Sequence, residues 1–344
     1  FFIFSISRKV FRVMKFYGEL AFLDKLGFIF VFSYLVVTLI GGSLSLIFSS
    51  RAWCQFCPMG SLQILMYKLG KKIGINHKSD EKVSVITEEK CHECGTCARV
   101  CPMQLDPYLN FSEKGQLDNE LCIRCSTCVE NCPADILRLE NENKTIDLAE
   151  TADLTGYNKK KLTSAYIQNI EKLNEKVKEF TFILQEPYSA LDIKPGQFIL
   201  IKISEEHKMF RAYSVSGIEE DGNIVKATIM KVEDGYGTSI IFNDFKEGDK
   251  VELKGPMGKE LIIDKNTDNV LLVAGGIGIT PFVPIVEDII YNQNNINNIK
   301  LIYGVNHEEE FIYKNIFEKY EEIGEEFEFI PVVAFDEKWT GKKG

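Results

Sequence analysis

Two stretches of the chain repeat one cysteine spacing, "CHECGTCARVCP" over 91–102 and "CIRCSTCVENCP" over 122–133. Eight thiols crowded this closely are either cross-linked or hold metal. Disulfides staple small secreted scaffolds throughout their length. Here all ten cysteines lie between Cys54 and Cys132, and none follows. Such Cys-x-x-Cys clustering points to metal or redox chemistry in a reducing compartment. Zinc prefers four ligands in two pairs, and a third cysteine so close behind the second serves it poorly. The pattern C-x2-C-x2-C-x3-C-P is instead a [4Fe–4S] spacing.

Three closely spaced thiolates wrap one face of a cubane, and the fourth points away to ligate the neighbouring cluster. The spacing therefore predicts one cluster on Cys91, Cys94, Cys97 and Cys132, and a second on Cys122, Cys125, Cys128 and Cys101. Residues 85–140 resemble the two-cluster ferredoxin family. The resemblance implies an α+β domain, placed at 82–140, with two 4Fe-4S clusters.

Upstream, residues 26–50, "LGFIFVFSYLVVTLIGGSLSLIFSS", carry no charge between Lys25 and Arg51. As a helix, residues 26–48 span roughly 35 Å, enough for a hydrocarbon core of about 30 Å. A transmembrane helix is the expectation; a signal peptide fits less well, because the run is long and no small-residue cleavage site follows. "SLQILMYKLGKKIGI" has an apolar face with lysines between, the pattern of a helix at a membrane interface or of an ordinary surface helix. In "RAWCQFCPMG", Cys54 and Cys57 resemble the Cys-Pro segment of polytopic membrane ferredoxins, with two residues between the cysteines where that family more often has three. The resemblance implies a redox role at the cytoplasmic membrane face. Residues 1–78 are thus expected to form a membrane segment. The opening "FFIFSISRKV" and the ending "WTGKKG" are expected to be cut from a longer protein.

Residues 141–162 are polar and aperiodic and read as a linker. Beyond them, short alternating stretches such as "VKEFTFILQ", "GQFILIKIS" and "IVKATIMKV" predict an antiparallel barrel over 163–262. From 268 strands alternate with helices, which predicts a parallel α/β sheet, Rossmann-like, at 267–344.

"RAYSVSG" lies within the expected barrel, and its Arg211, Tyr213 and Ser214 match the R-x-Y-[S/T] signature of the ferredoxin–NADP reductase superfamily. "DGYGTSIIF", "GPMG" (Gly255, Pro256, Gly258) and "LLVAGGIGITPF" follow in that superfamily's order. Residues 163–344 resemble it as a whole. The resemblance implies an FAD-binding barrel and an NAD(P) domain, the latter incomplete here because the family's domain runs further. A guanidinium at Arg211 would fork onto the flavin pyrophosphate. Tyr213 would lay its ring on the isoalloxazine, and the Ser214 hydroxyl would reach N5, which makes these two the candidate catalytic residues. Gly237, Thr238 and Ser239 open a helix suited to the rest of the pyrophosphate. Gly275, Gly276 and Gly278 form a turn before Thr280 and Pro281 that lets a dinucleotide approach the backbone.

Glu308, Glu309 and Glu310 lie where the family holds the adenosine ribose; their charge favours NAD(H) over NADP(H). The net charge of −10 argues against a nucleic-acid partner. His77, His92, His207 and His307 are scattered, without ligand spacing. The expected protein is a membrane-bound oxidoreductase of the inner membrane, its cofactor domains on the cytoplasmic side. It passes electrons between NADH, FAD and two 4Fe-4S clusters and an unidentified partner, such as a quinone, a ferredoxin or another subunit. Ferredoxin-driven NAD(P) reduction is the reverse alternative, and a non-catalytic relay subunit is a second.

Overall fold

Period-two alternation over residues 161–257 closes into a barrel in the computed structural model, which describes residues 22–47 and 58–343 apart from 75–79, 159, 186–190, 206–207, 220–221, 265–266, 293–295, 297, 325 and 337–338. The barrel comprises β3 (Lys161–Lys172), β4 (Val177–Leu184), β5 (Phe198–Ser204), β6 (Met209–Glu219), β7 (Ile224–Met230) and β8 (Lys250–Met257). They pair antiparallel in the order β3-β4-β7-β6-β5-β8, and β8 returns to β3. Closure removes the sheet edges. Inward positions such as Phe180, Phe182, Ile199, Ile201, Val225 and Leu253 are fully buried.

The carboxy-terminal sheet runs parallel in the order β12-β11-β10-β9, from β9 (Asn269–Gly275), β10 (Asn298–Val305), β11 (Phe327–Val333) and β12 (Lys342–Lys343). The intervening helices Phe282–Tyr291 and Lys314–Ile323 cover it, with Val286, Ile289, Phe317 and Tyr320 in its core.

Between the cysteine runs and around them, β1 (Lys82–Val85) and β2 (Leu137–Glu140) form an antiparallel pair. Each run ends in a single helical turn, Thr96–Arg99 in the first and Thr127–Glu130 in the second. The expected linker is more ordered than its composition implied. Asn141 caps a helix over Glu142–Glu150 by accepting a hydrogen bond from the Lys144 N–H at 3.0 Å, and Thr145 is buried beneath it. Only side-chain capping marks this helix; its apolar periodicity is too weak to read.

A transmembrane helix does not emerge. The uncharged run forms the helix Phe22–Ile47, yet among the described residues no helix is long and apolar enough to cross a membrane. A second helix, Pro58–Ile73, leaves Leu62, Leu65, Met66, Leu69 and Ile73 exposed at helical spacing. Its other side reaches the second cysteine run. There Tyr67 donates to Asp80 at 2.5 Å, Arg124 donates to the other Asp80 oxygen at 2.6 Å, and Lys68 pairs with Glu120 at 2.9 Å.

Burial disfavours charge on Asp80, but the hydrogen bonds from Tyr67 and Arg124 outweigh it and hold its carboxyl below the usual range. A depressed carboxyl contributes stability above its unfolded pKa and loses it as pH falls through the folded value. The protection of amides over residues 58–73, relative to their intrinsic exchange rates, should therefore be unchanged between pH 7 and 5 and fall below about pH 4. An Asp80→Asn variant should show this reduced protection at neutral pH.

Candidate functional site

The interleaved cysteine sets come together as the spacing predicts. Cys91, Cys94, Cys97 and Cys132 line one pocket, and Cys101, Cys122, Cys125 and Cys128 line another. None of these eight cysteines is in a disulfide. Among the described residues no group of three or more His, Cys, Asp or Glu is arranged to hold a metal ion directly. The thiols instead ring a volume whose remaining walls are mostly apolar, with Tyr108, Phe111, Ile136 and Leu137 at the first and Val83, Met103 and Leu117 at the second. That donor set fits a cluster better than an ion.

Left-handed backbone makes this possible. Glu93, Gly95, Arg124 and Ser126 have φ of 48°, 66°, 55° and 60°, which coils each run so that successive thiols face inward. The Glu93 N–H points at Cys91 Sγ at 3.4 Å, and the Leu105 N–H points at Cys101 Sγ at 3.5 Å. Such N–H···S contacts tune and orient cluster ligands. Burial pushes the Cys97 thiol up to about 12 and those of Cys91 and Cys128 up to about 11. A bare thiolate is costly in these cavities, so metal loading has to displace protons.

On the barrel, β6 carries Arg211, Tyr213 and Ser214, with Ser214 opposite Phe198 of β5. Gly235 precedes the helix Tyr236–Asp244, which contains Gly237, Thr238 and Ser239. Arg211 lies across Gly237: a Cβ there would sit 3.0 Å from Arg211 Nε and 3.1 Å from its Cγ. The structure thus joins two motifs that are separate in sequence into one cationic recess at a helix start, a cradle suited to a pyrophosphate. Burial raises the Tyr213 phenol to about 12, so its ring stays neutral. The Thr238 hydroxyl is occupied within the loop, accepting from the Val232 N–H at 3.2 Å and donating to the Gly235 carbonyl at 3.3 Å.

At the carboxy-terminal sheet, β9 ends at Gly275 and a 3₁₀ turn over Gly276–Ile279 leads through Thr280 and Pro281 into the helix. Gly276 has φ of 50°, and a Cβ at Gly275, Gly276 or Gly278 would meet no atom within 4 Å. The turn therefore offers open backbone to a ligand. His307, Glu308, Glu309 and Asp336 line an open recess. The three glutamates part company: Glu310 accepts from the Asn306 N–H at 3.1 Å, whereas Glu308 has Lys314 at 3.7 Å. Cys54 and Cys57 lie outside the described residues, as do His77 and His207.

One cluster escaped the sequence. Buried Glu179 of β4 accepts hydrogen bonds from Ser216 at 3.2 Å, Thr228 at 3.1 Å and the Tyr313 hydroxyl. Burial, reinforced by the Glu179 charge, raises the Tyr313 phenol far above its ordinary value. This network ties the nucleotide sheet to the barrel two residues from Ser214. No local pattern announces it, because its members come from four separated segments.

Comparison with known proteins agrees with this geometry. Residues 164–261 match the oxidoreductase FAD-binding domain, 272–344 the oxidoreductase NAD-binding domain, 83–133 the 4Fe-4S dicluster domain and 26–76 a 4Fe-4S binding domain. The toluate 1,2-dioxygenase electron transfer component of Pseudomonas putida is 29% identical over 180 residues, 52% of each chain. The electron transfer subunit of dihydroorotate dehydrogenase B from Fusobacterium nucleatum is 33% identical over 132 residues, 37% of this chain and 49% of that one. NADH oxidoreductase HCR of Escherichia coli is 28% identical over 134 residues, 39% of this chain and 40% of that one. The chain spans about half the length, or less, of these relatives. By these matches the chain combines an oxidoreductase FAD-binding domain and an oxidoreductase NAD-binding domain with 4Fe-4S modules.

Two substitutions test the site. Gly237→Val would drive a branched side chain into Arg211 and should weaken FAD binding by at least about tenfold, read by flavin fluorescence titration. Tyr313→Phe removes one of three donors to the same buried Glu179 oxygen and should cost about 1–3 kcal/mol in chemical denaturation.

Proposed function

We propose that this chain is the reductase part of a membrane-associated enzyme that oxidises NADH and sends the electrons through FAD and two 4Fe-4S clusters to a further acceptor. The observation that carries the reading is the meeting of Arg211 and Gly237 beside the first cysteine set. FAD, when bound, supplies the conversion between two-electron and one-electron chemistry. The chain's own residues prepare for it. Arg211 and the helix start at Tyr236 would neutralise the pyrophosphate, Tyr213 would offer a neutral flat face, and the Ser214 hydroxyl would donate toward N5. The open turn at Gly275–Gly278 receives the dinucleotide, and Pro281 starts the helix behind it without needing a backbone donor. Glu308 and Glu309 disfavour a 2′-phosphate, which supports NADH over NADPH.

Membrane association rests on two helices. In Phe22–Ile47 the Thr38 and Ser43 hydroxyls fold back onto the carbonyls four residues earlier, both at 2.8 Å, and Val31, Tyr34, Leu39 and Leu46 are exposed. Hydroxyls satisfied this way sit at little cost in an apolar setting. The stripe Leu62, Leu65, Met66, Leu69 and Ile73 of the next helix would lie along the same surface, with Lys71 and Lys72 near headgroups. The cofactor domains then face the cytoplasm, where NADH is found, and Cys54 and Cys57 take a redox role on that side.

Anaerobic titration of the purified full-length protein tests the chemistry. The expected result is a flavin band bleached by NADH faster than by NADPH, with iron and sulfide matching two cubanes. A protein without flavin, or with flavin that NADH leaves oxidised, would refute it. Glu308→Gln with Glu309→Gln should narrow the NADH preference. Retention in membranes through a high-salt wash tests the anchoring; release into the wash would sink it.

A further inference from the structure

The two cysteine runs are repeats, so equivalent positions can be compared, and their surroundings differ. In the first run the loop 90–95 is packed against the barrel. His92 stands edge-on to Phe198 of β5, ring centroids 5.3 Å apart. Glu93 accepts both its ionic hydrogen bonds from Lys254 of β8, at 2.6 and 2.7 Å, and its carbonyl accepts from the Phe210 N–H of β6 at 3.1 Å. The Cys94 carbonyl accepts from Arg211 at 2.7 Å. Gly95 is glycine at φ 66° where a Cβ would come within 2.8 Å of Met209 Cε.

The second run places Ile123, Arg124, Cys125 and Ser126 at those positions. Ile123 is half exposed and Cys125 is exposed. Arg124, opposite in charge to Glu93, turns away from the barrel to Asp80 and lies over the Tyr67 ring at 5.4 Å. One repeat docks on the flavin barrel, and the other faces solvent and the amino-terminal helix.

We propose that the two cysteine sets are ordered: Cys91, Cys94, Cys97 and Cys132 hold the inner cluster, which exchanges electrons with the flavin, and Cys101, Cys122, Cys125 and Cys128 hold the outer one, which exchanges them with the external partner. This rests on the function proposed above. NADH oxidation to NAD⁺ delivers two electrons and one proton to the flavin, which takes a second proton from solvent. Reoxidation returns both protons and releases the electrons singly. Each passes to the inner cubane, then to the outer one, then to a one-electron acceptor at the exposed face around Ile123 and Cys125. Arg211 has two duties in this scheme, one toward the pyrophosphate and one holding the inner loop at Cys94.

Rapid freeze-quench electron paramagnetic resonance after anaerobic mixing of the full chain with NADH, following flavin absorbance in parallel, tests the order. Cys125→Ser should leave the inner cluster reducible by NADH at the wild-type rate. Cys94→Ser should leave the outer cluster oxidised with NADH yet reducible by dithionite. Outer-cluster reduction by NADH at the wild-type rate in Cys94→Ser would overturn the order. Should Cys94→Ser fail to fold, Glu93→Lys keeps every ligand. It should slow NADH-driven cluster reduction by about tenfold without changing flavin reduction, and Lys254→Glu added to it should restore the rate. An unchanged rate in Glu93→Lys would equally overturn the proposal. Flavin that NADH cannot reduce in the wild type would instead strike the underlying function, and the parallel absorbance trace separates the two failures.

Discussion

The guanidinium of Arg211 is where the parts of this chain depend on one another. It leaves β6, crosses a glycine that has no side chain to block it, and ends on a carbonyl in the loop of the first cysteine run. Burial works against its charge, although it remains a cation at any physiological pH. A buried cation needs compensation. Neighbouring carbonyls supply part of it, at Cys94 and at Phe210 (2.9 Å), and an anion in the recess would supply the rest. The barrel and the iron–sulfur domain are thus held by the same group that we propose for the flavin's phosphates.

Much of the fold was legible because the signals are local. Residue alternation over 161–257 marked the barrel, strand–helix alternation marked the nucleotide sheet, and cysteine spacing paired Cys101 with the second set and Cys132 with the first. Fixed spacing on a tightly coiled backbone leaves few other pairings, which is why a motif could forecast a long-range contact there. The membrane expectation fared differently. A long uncharged run is a statement about composition, and the described part of Phe22–Ile47 does not amount to a spanning helix.

What was illegible is long-range or mediated by single side chains. Glu179 looked like an ordinary charged residue on an alternating strand, and its burial followed only from Tyr313 arriving from the other domain. The helix over Glu142–Glu150 rests on one Asn141 cap. Thr238 matched a phosphate-binding pattern, yet its hydroxyl closes its own loop, a choice that residue identity cannot reveal. Nor did the sequence distinguish the two cysteine runs, which are the same in spacing; only their neighbours differ.

The hydrogen bond from the Phe210 N–H to the Glu93 carbonyl has a consequence for cooperativity. It joins backbone of the barrel to backbone of the cluster loop, so the two share an unfolding unit rather than opening independently. Damage at the first cluster would therefore be felt directly at the flavin barrel, whereas damage at the second would reach it only through the interleaved Cys101. Fragility is distributed unequally between two halves whose cysteine spacing is identical.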